Sequence, residues 1–333
     1  MAKDLSILIP SRSEMFLART IEDILANIEA DTEVIALLDG TWADPPVAYN
    51  ERVNVIYAPK AIGQRAAANM ACKLSKAKYV MKVDAHCSFD KGFDRKMLEA
   101  YKETGDSVTM APTMRNLWAF DWKCMKCGKK WYQGPTPTEC AEKNFRGTGQ
   151  PCEGKNFKRK MMWVGKSNPQ SNSYSFNAEP HFQYFNEYCK RPEYKEALEK
   201  TGITETMSLQ GSAFMCARDK WWEWELSDEK LGNWGNQGIE VACKTWLAGG
   251  RVLVNHKTWY AHMFRTQGGD FGFPWPNSGK DTQKTKDNVK KLFWENKWSK
   301  QKYPLSWLLE KFWPVPGWTQ EQLDNLKKSN LSV

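Results

Sequence analysis

The feature that most constrains this chain is the alternation at its N-terminal end. Short apolar runs at Leu5–Pro10, Glu33–Leu38, Val53–Tyr57 and Tyr79–Val83 read as buried strands. Between them lie helical patterns over about 15–29, with Phe16, Ile21, Ile24, Leu25 and Ile28 near helical period, and over the Ala-rich segment Gln64–Ser75. Strands separated by helices predict an α/β fold with a doubly wound, mostly parallel sheet. In such sheets ligands bind at the carboxyl ends of the strands. Those ends carry Asp39, in Asp39-Gly40-Thr41, and Asp84 with His86, in Asp84-Ala85-His86. After the first strand, Ser11-Arg12-Ser13-Glu14 has the spacing of a helix capping box.

The rhythm breaks at about 122–160, a stretch rich in Cys, Gly, Pro and Lys that reads as an insertion. Residues 161–200 read as irregular. Regular structure is expected again at Ser208–Cys216 (strand), Gly238–Leu247 (helix), Arg251–Asn255 and Thr258–His262 (short strands). The Gly- and Pro-rich stretch 266–279 reads as a mobile loop, and 284–300 and 319–328 as helices. In the first of these, Val289, Leu292, Phe293 and Trp298 form an apolar stripe and the lysines its wet face. The expected organisation is 1–121, a nucleotide-binding half; 122–160, a Cys-rich zinc-binding insertion; 161–280, an acceptor and sugar-binding half; and 281–333, a C-terminal helical extension.

A carboxylate and an imidazole two residues apart at a strand end form a ligand pair for a hard or borderline divalent cation. The candidate third ligand is His262, which also ends an apolar strand, and Arg265 is placed to hold a phosphate. Such a cluster suits group transfer from a nucleoside diphosphate, where charge builds on the departing diphosphate. Taken alone, Asp-Ala-His fits a structural role equally well.

The wider pattern resembles the polypeptide N-acetylgalactosaminyltransferases, a retaining GT-A glycosyltransferase family. The resemblance covers most of residues 5–300, apart from the insertion and parts of 161–200. Val83-Asp84-Ala85-His86-Cys87 is similar to that family's Asp-x-His metal motif, and Trp259-Tyr260-Ala261-His262-Met263-Phe264-Arg265 to its second metal-binding His with a diphosphate-binding Arg. Leu209-Gln210-Gly211-Ser212-Ala213-Phe214 resembles its sugar-contacting strand, and Trp234-Gly235-Asn236-Gln237-Gly238-Ile239-Glu240 its Trp-Gly-Gly-Glu-Asn-x-Glu segment. The resemblance implies Mn²⁺ or Mg²⁺ on Asp84, His86 and His262. It implies a UDP-sugar held by Pro10, Ser11, Arg12, Glu14, Asp39, Arg65, Asp84, Gly211 and Trp234, with Gln237, Glu240 and Arg265 as the catalytic set. Two departures matter. Gln237 stands where the family has Glu, and Gly238 stands where related inverting enzymes place an Asp base. Without that carboxylate, retaining transfer is expected; Glu240 is expected to order the site or bind an acceptor hydroxyl, with a role as the base the lesser alternative. The loop Gln267–Trp275, directly after Arg265, is expected to close over the donor.

Cys124-Met125-Lys126-Cys127-Gly128 is half of a zinc knuckle, with Cys140 and Cys152 following in a segment that lacks a hydrophobic run. Such a segment cannot build its own core, and a structural Zn²⁺ on these four thiols is the natural organiser. Cys72, Cys87, Cys189, Cys216 and Cys243 lie in apolar contexts and read as core. Lys123, Lys126, Lys129, Lys130, Trp131, Tyr132, Lys155, Lys158, Arg159 and Lys160 surround the knuckle, a mixture that suits nucleic acid or a solvated face.

A net charge of +9 favours phosphate-bearing partners without choosing among them. No run approaches the roughly 20 apolar residues of a membrane span, and no secretory signal is evident. A soluble, cytoplasmic protein is expected, and the nine Cys argue against a disulfide scaffold. These readings together favour a glycosyltransferase acting on a macromolecular acceptor, first a hydroxymethylated pyrimidine in DNA, as in phage DNA modification. Protein Ser/Thr and polysaccharide acceptors come next. A non-catalytic nucleic-acid-binding zinc protein on the same scaffold and a nucleotidyltransferase are the competing classes.

Overall fold

The computed structural model describes residues 3–169, 171–276 and 278–330. Residues 331–333 of the expected C-terminal extension lie outside them. The N-terminal alternation folds as β1 (Leu5–Ser11), α1 (Leu17–Asn27), β2 (Thr32–Asp39), β3 (Val53–Ala58), α2 (Gln64–Leu74), β4 (Tyr79–Val83), β5 (Cys87–Phe89) and α3 (Phe93–Thr104). There follow β6 (Val108–Cys124), β7 (Lys130–Tyr132), β8 (Phe157–Pro169), β9 (Tyr174–Phe176), β10 (Phe182–Tyr184), α4 (Pro192–Thr201), β11 (Ile203–Glu205), β12 (Ala213–Ala217) and α5 (Arg218–Glu223). The chain ends with α6 (Gln237–Leu247), β13 (Arg251–His262), α7 (Gly279–Phe293), α8 (Leu305–Phe312) and α9 (Gln320–Asn330).

One sheet runs β11-β13-β6-β12-β4-β1-β2-β3. Strands β4, β1, β2 and β3 are parallel. The sheet as a whole is mixed, because β12 lies antiparallel between β4 and β6. Both faces are covered, so the central strands are largely apolar on both faces rather than alternating, with Ser6 of β1 and Lys82 of β4 as buried exceptions. Ile7 and Ile9 of β1 belong to the buried layer that holds α1 and α3 on one face, while Leu8 lies on the other, in the layer that holds α2, α6 and α8. Val289, Phe293 and Trp298 are buried in this second layer, with Leu292 packed against it, but the helix expected over 284–300 ends at Phe293, so Trp298 reaches the layer from the non-helical stretch beyond it. Among the described residues no helix is long and apolar enough to cross a membrane.

The structure departs from the sequence reading in several places. The stretch 161–200 contains most of β8 and all of α4. Of the expected 208–216 strand only 213–216 lies in the sheet, as part of β12. The two short strands expected between 251 and 262 are one strand, β13, whose register against β6 shifts between Asn255 and Trp259. The capping box is not made: α1 starts at Leu17 with no side-chain cap, because Glu14 is drawn into a charged cluster described below. The 122–160 segment is carried on an antiparallel arm, with β8 paired to the distal half of the 17-residue β6 and β7 on the other side of β6.

Candidate active site and cysteine cluster

Pairing in the sheet assembles the metal candidates. Asp84 follows β4 directly, and its N–H donates to Ser212 O at 2.8 Å, which brings the Gly211 turn alongside. His262 ends β13, where it pairs with Cys87 of β5, so His86 becomes its neighbour. His86 Nε2 and His262 Nε2 lie 3.0 Å apart, and His262 Nε2 is 3.3 Å from Asp84 Oδ2. The candidate ligand atoms of all three residues lie within 4.8 Å of one another. This oxygen–nitrogen set fits a divalent cation. Burial holds the His262 imidazole down at about 4, against the pull of Asp84, so it is neutral at pH 7. Its buried Nδ1 has no protein partner. Burial alone would raise the Asp84 carboxyl, but the Lys82 ammonium and His262 reverse this and hold it below the usual range.

Around the cluster, Glu14 takes His86 Nδ1 at 3.0 Å and Arg265 NH2 at 2.7 and 2.6 Å on its two oxygens. With Nδ1 turned to Glu14, His86 Nε2, which faces His262, is the nitrogen open to a cation. Burial would raise the Glu14 carboxyl; His86 and Arg265 outweigh it and lower it. Two contributors escape sequence reasoning. Lys82, fully buried, donates to Asp84 Oδ1 and to Gly211 O at 2.7 Å. Gln64 Nε2 reaches Asp84 Oδ1 at 3.3 Å. A lysine inside the apolar strand Tyr79–Val83, two residues from Asp84, was the available signal, since i and i+2 share a strand face.

The cluster stands at the waist of a two-lobed cleft. Both lobes share Gln64, Asp84, His86, Trp234 and Trp275. Pro10, Ser11, Arg12, Glu14 and Asp39 line the first lobe. Gly211, Gln237, Gly238, His262 and Arg265 line the second. Asp39 already accepts the N–H groups of Ile62 (2.6 Å) and Gly63 (3.1 Å). Gln237 Nε2 donates to Ser227 Oγ at 3.5 Å, and its buried Oε1 has no protein partner.

Arg65 and Glu240 line neither lobe. They form a buried pair at 2.8 Å beneath the second lobe, joined by Lys244 at 3.1 Å from Glu240. Arg65 also donates to the carbonyls of Gly232 and Gly235, fixing the turn that carries Trp234. At Gly238 a Cβ would fall inside contact distance of Leu209 O and 2.8 Å from Gly211 N. The backbone there leaves no room for any side chain.

The stretch 266–276 is only partly free. Phe271 is buried in an aromatic cluster with Phe16, Phe120 and Trp163. Asp270 accepts the Thr136 N–H at 2.8 Å and the Thr136 hydroxyl, tying the loop to the Cys-rich segment. Phe273 packs on Trp234 with centroids 4.8 Å apart.

The four thiols of Cys124, Cys127, Cys140 and Cys152 converge within 4.8 Å. Cys124 and Cys152 are 3.8 Å apart and Cys127 and Cys140 3.5 Å. A tetrahedral S₄ zinc site has edges of roughly 3.8 Å, from Zn–S bonds near 2.3 Å. The residues therefore fit that ion. The other five cysteines are free thiols, four buried and Cys189 partly so.

Two expected surface cations are otherwise engaged. Lys129 pairs with Glu142 at 3.0 Å. Arg159 lies over the rings of Phe120 and Trp122 and donates to Met15 Sδ.

Residues 6–145 match the family model for glycosyl transferase family 2. No curated protein matches the sequence. Among solved structures, the crystal structure of GalNAc-T7 with UDP, GalNAc and Mn²⁺ is similar with a TM-score of 0.62 at 13% identity, covering 99% of this chain and 55% of that one. The chain thus spans about half the length of that relative. A structure of S. aureus TarS 1-349 matches with a TM-score of 0.43 at 12% identity, over 79% of this chain and 60% of that chain. The class of fold is defined: a GT-A-like α/β fold with a mixed sheet, a group of three residues able to hold a metal ion and a small insertion bearing a cysteine cluster.

Proposed function

We propose that the chain is a metal-dependent, retaining glycosyltransferase that moves a sugar from a UDP-sugar to a hydroxymethylated pyrimidine base in DNA. The observation that carries the donor half is the Asp84–His86–His262 cluster at the waist of the cleft, between a lobe lined by the β1 turn and Asp39 and a lobe lined by Gly211 and Gln237. The fold neighbour GalNAc-T7 holds UDP, GalNAc and Mn²⁺, which supports placing a nucleotide and a divalent ion here.

Mn²⁺ or Mg²⁺, when bound, supplies positive charge beside the departing diphosphate. The chain's residues do the rest. Glu14 orients His86, Lys82 fixes Asp84 against the Gly211 carbonyl, and Arg265 contributes a second cation. Arg65 and Glu240 act from beneath, holding the Trp234 turn. Gly238 leaves the usual base position without a side chain, so an oxygen of the leaving diphosphate takes the acceptor proton and the anomeric configuration is kept. The net charge of +9 and the basic Cys-rich arm support a nucleic-acid acceptor, and such a base is flipped out to reach the sugar.

The test is UDP release from a panel of UDP-sugars with Mn²⁺, with hydroxymethylated DNA, unmodified DNA or a Ser/Thr peptide. Release with hydroxymethylated DNA alone, and an unchanged anomeric proton configuration by NMR, is expected. Transfer to the peptide and to no DNA removes the acceptor reading; no UDP release with any sugar removes the donor reading.

A further inference from the structure

The arm built from β6, β7 and β8 carries an arrangement that folding alone disfavours. Lys123 of β6 stands directly opposite Lys158 of β8 on one side and Lys130 of β7 on the other. Side chains of directly opposed residues share a face with Cβ atoms about 5 Å apart, and like charges so placed repel. One step along, Lys160 and Tyr132 flank Asp121 in the next cross-strand row. Lys166 lies 4.3 Å from the Tyr132 ring. All five lysines are exposed, as is Tyr132. Among the described residues none of the five makes an ion pair, and the one carboxylate in these rows, Asp121, is buried and accepts the Trp118 indole N–H at 2.8 Å.

We infer that this face is a docking surface for the sugar-phosphate backbone of single-stranded nucleic acid. Three ammonium groups in a row across strands about 4.8 Å apart are what a chain of phosphates neutralises. Tyr132 on the same face, exposed although the Lys166 ammonium lies over its ring and Trp118 is 6.1 Å away, adds a ring on which a base can stack. Charge complementarity selects the partner: no acid of the arm answers these cations, whereas Lys129 nearby has found Glu142. The surface also stands in a fixed relation to the metal cluster. Asn116 of β6 pairs with His262, and Lys123 lies seven residues further along the same strand, roughly 24 Å at 3.4 Å per residue. The arm therefore grips a polymer several nucleotides away from the reacting base. The inference deepens the DNA reading above and rests on it only for the acceptor's identity.

The experiment measures fluorescence anisotropy of a labelled, unmodified single-stranded oligodeoxynucleotide on the zinc-loaded full chain, as a function of salt. The combined substitution Lys123→Gln, Lys130→Gln and Lys158→Gln should weaken binding about tenfold or more and lower the salt slope by about 2. Tyr132→Ala should weaken oligonucleotide binding roughly tenfold while leaving inorganic polyphosphate binding unchanged. Zinc content should be retained, and the melting temperature held or raised as repulsion is relieved. Lys160→Gln with Lys166→Gln is the second variant, should the first fail to fold. Unchanged affinity and salt slope in the lysine variants overturn the surface, and so does polyphosphate competing equally well per charge with no effect of Tyr132→Ala. If binding is lost in the variants yet the parent transfers no sugar to any DNA, the surface stands and the acceptor reading falls. If the parent glycosylates DNA while the variants bind it normally, the reverse holds.

Discussion

The parallel half of the sheet and the cysteine-bearing arm position their residues by opposite means. In β1, β2 and β4, both faces are packed, and Leu5, Ile7, Leu8, Val34 and Val80 are fully buried. Asp39 and Asp84 are delivered to the cleft because the strands under them cannot shift register without exposing that core. In the arm, 125–156 contributes almost no apolar side chains beyond Trp131, Phe145 and the thiols themselves. Its loops converge on four Sγ atoms. Burial fixes one region and sulfur the other, so each should fail separately.

The largest effect tests that separation at the cleft. Asp84→Ala or His262→Ala should lower transfer by about a thousandfold or more and abolish Mn²⁺-dependent UDP binding. Zinc content should stay near the parent's in both variants, while Asp84→Ala, which strands the buried Lys82 ammonium, should also lower the melting temperature. Calorimetric UDP titration beside elemental analysis decides it, and loss of zinc in either variant breaks the comparison.

Cys124→Ser with Cys127→Ser works from the other side. The parent should carry about one zinc and this variant none. Amide protection should collapse across 125–156 and persist in β1, β2 and β4, as hydrogen exchange will show. If the sheet loses protection too, the arm is part of the domain's cooperative core.

A pair of glycines sharpens the contrast. Gly238→Ala drives a Cβ into the Leu209–Gly211 backbone and should destabilise the whole domain by about 2 kcal/mol or more. Gly154→Ala places a Cβ 2.6 Å from Cys124 Sγ and should weaken zinc retention with little change in domain stability. Denaturant melts and chelator competition measure the two.

The smallest effect concerns pH. Burial lowers His256 to about 4, below the ordinary 6.5. Between those values the unfolded imidazole binds a proton that the folded one refuses, so stability is complete above about 6.5 and falls as pH drops towards 4. His262, also held at about 4, contributes in the same window, so His256→Gln should lessen the slope there without abolishing it, and leave the arm's zinc content unchanged. An unaltered slope means another group carries the decline.

What the sequence disclosed follows the same division. The strands under Asp39 and Asp84 were legible because apolar runs of that length have one use. The partnership of Asp84, His86 and His262 was legible through the resemblance, and the convergence of the four cysteines through their spacing. Lys82 was hidden because its role depends on Gly211, which only the antiparallel insertion of β12 brings alongside. Glu14 was misread locally: its spacing fits a helix cap, but a cation from 251 residues away takes its carboxylate. The region 161–200 was opaque because β8 pairs with β6 across some forty residues, and its exposed face has no alternation to read. Arg65 and Glu240 carry charge yet sit beneath the cleft, a distinction that sequence alone does not draw.

The burial of Phe271 has a consequence for the entropy of the loop that borders the cleft. Sixteen residues separate His262 from Gly279. Anchored near its midpoint by Phe271 and Asp270, the segment behaves as two short spans, each with its own tether. Halving a flexible loop lowers the closure entropy to be overcome by about 0.6 kcal/mol. The half that follows the anchor bears Phe273, which packs on Trp234, and Trp275, which packs on Phe273. Ordering over a ligand then asks for the immobilisation of one short flap about a fixed pivot, and the pivot itself is stationed on the cysteine-bearing segment.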